Sequence, residues 1–207
     1  MKQKHPMVVT ISRQLGSGGA YTGQQIAKRM DLLYADREIL CEAAKKFAVS
    51  EADLESCDEK IISFWQSLLK ASPFSQNLYV PPKIMAPGDR DLYKTEAEII
   101  EYIAHKHPAV IIGRCGFHVL RSLPNHVSLF VHADTGFRID RVQKLYDVSK
   151  EDAGRMIAQS DRERTVYCKT ITGKEWADAR NYHLSIETSK AGIDKTIDLI
   201  ISYLGSV

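Results

Sequence analysis

Near the N-terminus an apolar run, Val8-Val9-Thr10-Ile11-Ser12, breaks into Arg13-Gln14-Leu15-Gly16-Ser17-Gly18-Gly19-Ala20-Tyr21-Thr22-Gly23. Gln24-Gln25-Ile26-Ala27-Lys28-Arg29-Met30 then reads as a helix. A strand, a glycine-rich turn and a helix N-terminus in that order make an anion site, because unpaired backbone N–H groups and the helix dipole converge on one point. The chemistry this suits is the binding of a nucleotide phosphate. A full phosphate loop reads G-x-x-x-x-G-K-[ST]; its lysine reaches the terminal phosphates and its hydroxyl meets magnesium. In the comparable window, Gly16–Gly23, the lysine slot falls on Gly19 and the hydroxyl slot near Tyr21 or Thr22. The window fits a backbone cradle and lacks the side-chain apparatus.

A set of arginines stands at expected strand ends and helix starts. Gly113-Arg114 follows the apolar run Ala109-Val110-Ile111-Ile112, which places a guanidinium at the carboxyl edge of the sheet, where α/β ligands bind. Arg138 and Arg141 lie one turn apart on a helix, and Asp161-Arg162-Glu163-Arg164 is a charged group inside an otherwise amphipathic one. Arginine suits phosphate because its planar fork donates two parallel hydrogen bonds and keeps its charge. Two other patterns fail. Gly16-Ser17-Gly18 with Asp36 imitates a dinucleotide fingerprint, but Tyr21 stands where its third glycine belongs. His105, His107, Cys115 and His118 lack a zinc-site spacing, so no metal set is expected from them.

The elements that must position these residues are strands alternating with helices. Met7–Ser12, 109–112 and 127–131 read as buried strands, with weaker runs at 32–34 and 183–186. Helical segments are expected over 22–30, 37–47, 51–70, 92–106, 135–146, 150–166 and 192–204. The alternation implies a parallel sheet covered on both sides. Residues 48–91 interrupt it with one helix and a proline-rich stretch, the mark of a lid, a binding loop or an insertion.

The 207 residues suffice for a sizeable core, so a single domain is expected over 1–207. A net charge of +2 argues against nucleic acid or membrane as a bulk electrostatic partner. No apolar run nears the roughly 18–20 residues that span a bilayer, and the N-terminus leads straight into a strand, so a cytoplasmic location is expected. The scattered Cys41, Cys57, Cys115 and Cys168 read as reduced, inert thiols.

Thr10-Ile11-Ser12-Arg13 with Gly16–Gly19, Tyr34-Ala35-Asp36-Arg37-Glu38-Ile39 and Ile111-Ile112-Gly113-Arg114-Cys115 resemble the cytidylate kinase-like family. So do Phe130-Val131-His132-Ala133 with Arg138-Ile139-Asp140-Arg141, then Asp161–Tyr167, Trp176 and Asn181-Tyr182-His183-Leu184, in order along nearly the whole chain. The resemblance implies a P-loop NTPase-type three-layer α/β fold: a parallel core sheet, a helical monophosphate-binding insertion (48–91) and a lid (about 150–180). It implies transfer of the γ-phosphoryl of ATP, with magnesium, to a small-molecule acceptor such as CMP or dCMP. Gly16, Ser17, Gly18 and Gly19, with Thr22, would bind the ATP cofactor. Asp36, Arg37, Arg114, Arg141 and Asp161 would bind the acceptor, and Arg162 and Arg164 would close from the lid onto the transferring group. Standard cytidylate kinases carry a lysine where this chain has Gly19, and an acid after the Gly-Arg pair where it has Cys115. Arg13, just before the loop, is placed to supply the lost charge and joins the catalytic set. A nucleotide-binding regulator on the same fold, without turnover, is the alternative.

Overall fold

A computed structural model describes residues 6–36 and 89–207. Arg37, the helices expected over 37–47 and 51–70, and all but the last residues of the 48–91 segment lie outside the described residues. Five strands form one sheet: β1 (Val8–Arg13), β2 (Leu33–Ala35), β3 (Ala109–Ile112), β4 (His126–His132) and β5 (Leu184–Glu187). Their order is β2-β3-β1-β4-β5, and every pairing is parallel. β1 is the central strand, in register from Val8 opposite Ala109 on one side and His126 on the other. All five strands therefore end at one edge, where Arg13, Asp36 and Gly113-Arg114 stand.

The described helices are α1 (Gly19–Met30), α2 (Asp89–Lys106), α3 (Gly116–Val119), α4 (Thr135–Tyr146), α5 (Lys150–Thr172), α6 (Thr188–Ala191) and α7 (Ile193–Leu204). Alternation along β1 divides its side chains between two faces. Val9 and Ile11 pack with Val110, Ile112, Leu129 and Val131 against Ile26 of α1 and Ile197 and Ile200 of α7. Val8 joins Ala109 and Ile111 against Ile99, Ile100 and Ile103 of α2. Helices thus cover both faces, as the alternation predicts.

Three expected helix boundaries move by three residues or more, the first being α1, which begins at Gly19 rather than 22. α2 begins at Asp89 rather than 92, so the end of the expected insertion is already helical. α5 runs unbroken to Thr172, beyond the expected 166, between an N-cap at Ser149 and a left-handed Gly173. The short α3, α6 and a 3-10 turn at Ala179–Asn181 have no periodic signal because none completes two turns.

One buried polar pair at the amino edge carries a pH consequence. His126 is buried and its Nε2 lies 2.7 Å from Thr10 Oγ1, with the His183 ring edge-on at 6.0 Å. Burial, helped by His183, lowers its pKa from 6.5 to about 4. The unfolded chain protonates this ring first, so stability is full above about pH 6.5 and falls as pH drops toward 4. The loss at the lower end should be about 3 kcal/mol. Thermal melts between pH 7 and pH 4.5 should show a steeper decline for the wild type than for His126→Gln; parallel curves would refute the linkage.

Candidate active site

The loop after β1 is held open from outside. Gln14 N–H donates to the Val131 carbonyl at 3.0 Å, and its side-chain oxygen accepts from Ala133 N–H at 3.2 Å. The Leu15 carbonyl accepts from Arg138 Nε at 2.7 Å, and the Ser17 carbonyl from the buried Thr188 hydroxyl at 2.7 Å. Ser17 Oγ donates back to the Gln14 carbonyl at 2.8 Å. Loop carbonyls are thus turned into the protein. Among the described residues, no acceptor takes the N–H groups of Gly16, Gly18 and Ala20.

Two glycines make that geometry possible. Gly16 and Gly18 have φ of 82° and 83°, a region that penalises a side chain. A Cβ on Gly16 would also lie 2.7 Å from the Arg138 carbonyl oxygen. Gly18 caps α1 without a side-chain hydrogen bond, leaving the helix's first N–H groups to a ligand. Gly16–Gly19 thus have the backbone geometry of an anion cradle. Thr22 is completely enclosed, and its hydroxyl has no hydrogen-bond partner among the described residues.

The arginines sort into different surroundings. Arg138, 4% exposed, ties Leu15 to Asp161 of α5, donating to both carboxylate oxygens at 3.0 and 2.8 Å. Asp161, placed with the acceptor-binding residues from sequence, here serves Arg138. Arg141 is half-buried beside Tyr21 and Tyr146, and burial lowers its pKa. Among the described residues it has no carboxylate partner. A desolvated guanidinium of this kind gains most from an incoming anion.

At the end of β3, Gly113, Arg114 and Cys115 all have positive φ, a tight turn that swings Arg114 back toward α2. Arg114 pairs with the buried Glu96 and lies 5.3 Å above the Tyr167 ring. Cys115 is buried in a group with Phe117, Phe130, Trp176 and Tyr182, and its hydrogen bond with Cys168, then burial, push its thiol pKa up. An apolar packing role explains why no acid stands there. Glu96 was missed from sequence because a single acid in the amphipathic run of α2 reads as solvated.

On α5, Arg162 and Arg164 point to different faces, as residues two apart must. Arg164 is half-buried, donates to Ser160 Oγ and lies 6.0 Å from the Trp176 ring centre. Arg162 is exposed. Arg13 crosses from β1 over Gly19 to Gly113. Asp36 follows β2 at the same carboxyl edge, and Arg37 lies outside the described residues.

Solved structures share this architecture. An uncharacterized protein from Eubacterium ventriosum matches with a TM-score of 0.74 at 24% identity, covering 97% of this chain and 99% of that one. Shikimate kinase from Bacteroides thetaiotaomicron matches at 0.53 and 10% identity, over 96% and 98%. A gluconokinase from Sinorhizobium meliloti matches at 0.53 and 12%, over 99% and 94%. At these identities the likeness is one of fold, that of the P-loop kinases. No curated protein matches the chain. Among the described residues no helix is long and apolar enough to cross a membrane. The model of the cytidylate kinase-like family matches residues 8–190, and with the braced glycine loop after β1 and the Gly-Arg turn after β3 in place, the chain belongs to that family.

Proposed function

We propose that the protein transfers the γ-phosphoryl group of ATP to a nucleoside monophosphate of the CMP or dCMP kind. The observation that carries this is the loop whose Leu15 and Ser17 carbonyls are turned into the protein while the N–H groups of Gly16, Gly18 and Ala20 have no acceptor among the described residues, beside a half-buried Arg141 with no carboxylate partner among them. Gly16, Ser17, Gly18 and Gly19 hold the ATP phosphates through backbone N–H groups, and Arg141 adds charge beside them. Asp36 and Arg37 face the acceptor, with the 48–91 segment as its binding insertion. Arg114, held by Glu96 at the end of β3, faces the acceptor phosphate. Arg13, Arg162 and Arg164 neutralise charge on the transferring group, with α5 as the lid.

Magnesium is the ATP counter-ion in this proposal, and the loop offers it no side-chain ligand. Ser17 Oγ is engaged with Gln14, Thr22 is enclosed, and Ala20 carries no oxygen on its side chain. No step is therefore assigned to a protein-held metal.

A coupled ADP-release assay over CMP, dCMP, UMP, AMP and GMP, with shikimate and gluconate as other small acceptors, tests the reading. Turnover should be fastest with a pyrimidine monophosphate. The second reading, a nucleotide-binding regulator, is favoured by glycine in the lysine slot; ATP binding with no turnover on any acceptor would establish it instead.

A further inference from the structure

We infer that the cation and the glycine of the phosphate loop have exchanged ends in this chain, and that Gly19 and Gly113 form the groove that aims the Arg13 guanidinium. The inference rests on the phosphotransferase reading above and identifies how that site carries its charge. In G-x-x-x-x-G-K the first glycine stands at the strand end and the lysine at the helix start. With Gly18 as the second glycine and Gly19 in the lysine slot, the strand-end slot belongs to Arg13. What the pattern puts at one end of the loop stands here at the other.

The geometry shows why both changes come together. A Cβ on Gly19 would lie 2.5 Å from Arg13 Cβ and 3.1 Å from its Cγ. A Cβ on Gly113 would lie 2.6 Å from a terminal guanidinium nitrogen of the same arginine. The Arg13 side chain thus sets out across Gly19 and ends over Gly113, and neither position admits a side chain while it lies there. Because β3 stands between β1 and β2, the charge is delivered on the side of the loop that faces Gly113-Arg114 and Asp36. A guanidinium there grips phosphate oxygens with parallel donors and never loses its charge. Gly19 is then a gap that Arg13 requires, and Gly19 and Gly113 are positioning residues.

Calorimetric titrations with MgATP and with tripolyphosphate test this on the wild type, Arg13→Gly, Gly19→Ala, Arg13→Gly/Gly19→Ala and Arg13→Gly/Gly19→Lys. Gly19 lies in helical backbone, so alanine there is opposed most closely by Arg13 Cβ at 2.5 Å, with Val131 Cβ at 3.1 Å as a weaker obstacle that all variants share. Arg13→Gly and Gly19→Ala should each weaken both ligands about tenfold or more, the loss of a charge-assisted phosphate contact. The double variant with alanine should bind no worse than Arg13→Gly alone, because the two changes remove one interaction. Arg13→Gly/Gly19→Lys rebuilds the common pattern and should return to within about threefold of the wild type. Additive losses, wild-type affinity in Gly19→Ala, or a folded exchange variant without recovery overturn the inference. A wild type that binds tripolyphosphate with this mutant pattern but phosphorylates nothing supports it while ending the kinase reading. A wild type that binds neither ligand overturns it.

Discussion

Arg164→Ala and Arg162→Ala are each expected to lower kcat by about 10²–10³, the cost of removing one donor aimed at transition-state charge. The two should differ in everything else. Arg164 is half-buried, bonded to Ser160 and placed against Trp176, so its loss should also lower the melting temperature by a few degrees. Arg162 is exposed and, among the described residues, has no hydrogen bond or ion pair, so its removal should leave the melt unchanged. KM for ATP should move little in either case, because lid arginines act on charge that develops during transfer. Steady-state kinetics beside calorimetric melts separate these effects. If both variants kept wild-type kcat, α5 would have no part in the chemistry.

That prediction shows where sequence and structure part company. The strands at 8–13, 109–112 and 126–132 were legible because central parallel strands, covered on both faces, read as short apolar runs too brief for a packed helix. The glycine loop was legible because positive φ at Gly16 and Gly18 leaves few alternatives to glycine. Side-chain partners were not. A charged run such as Asp161–Arg164 looks uniform in sequence, yet helical geometry sends Asp161 to Arg138, Arg164 to Ser160 and Arg162 outward. Arg114 was correctly placed at the end of β3, but its partner Glu96 lies on another element, and pairings between elements leave no periodic trace. The same holds for Thr188, whose hydroxyl braces Ser17 from the far end of the chain. The lysine slot was read as a loss because sequence shows what is absent at Gly19 and not what crosses it.

Arg138→Ala should be the most damaging single change in the described structure, although no phosphate need touch this residue. Its guanidinium is buried and makes three bonds, one to the Leu15 carbonyl and two to Asp161. Removal leaves a loop carbonyl without its donor and a carboxylate, 26% exposed, without its counter-charge. Breaking such a pair costs about 3–5 kcal/mol when both partners are deeply buried. Partial hydration of Asp161 places the expectation near the lower end, about 3 kcal/mol, or a fall of roughly 6–12 °C in melting temperature for a chain this size. Arg138→Lys should recover little of it, since one ammonium cannot serve the loop and the helix in the same planar arrangement. The functional consequence follows from what the bonds join. Arg138 backs Gly16, whose missing side chain lets its carbonyl approach, and it fastens α5 to the loop it overlies. Its loss should therefore raise KM for ATP as well as lower stability, because the cradle and the lid helix lose their common anchor. A double-mutant cycle with Asp161→Ala decides between coupling and mere packing. If the brace is real, Asp161→Ala should cost clearly less in the Arg138→Ala background than in the wild type. Equal costs would show that the ion pair is incidental and that α5 is held by the apolar contacts of Leu15, Val142, Ala153 and Ile157 alone.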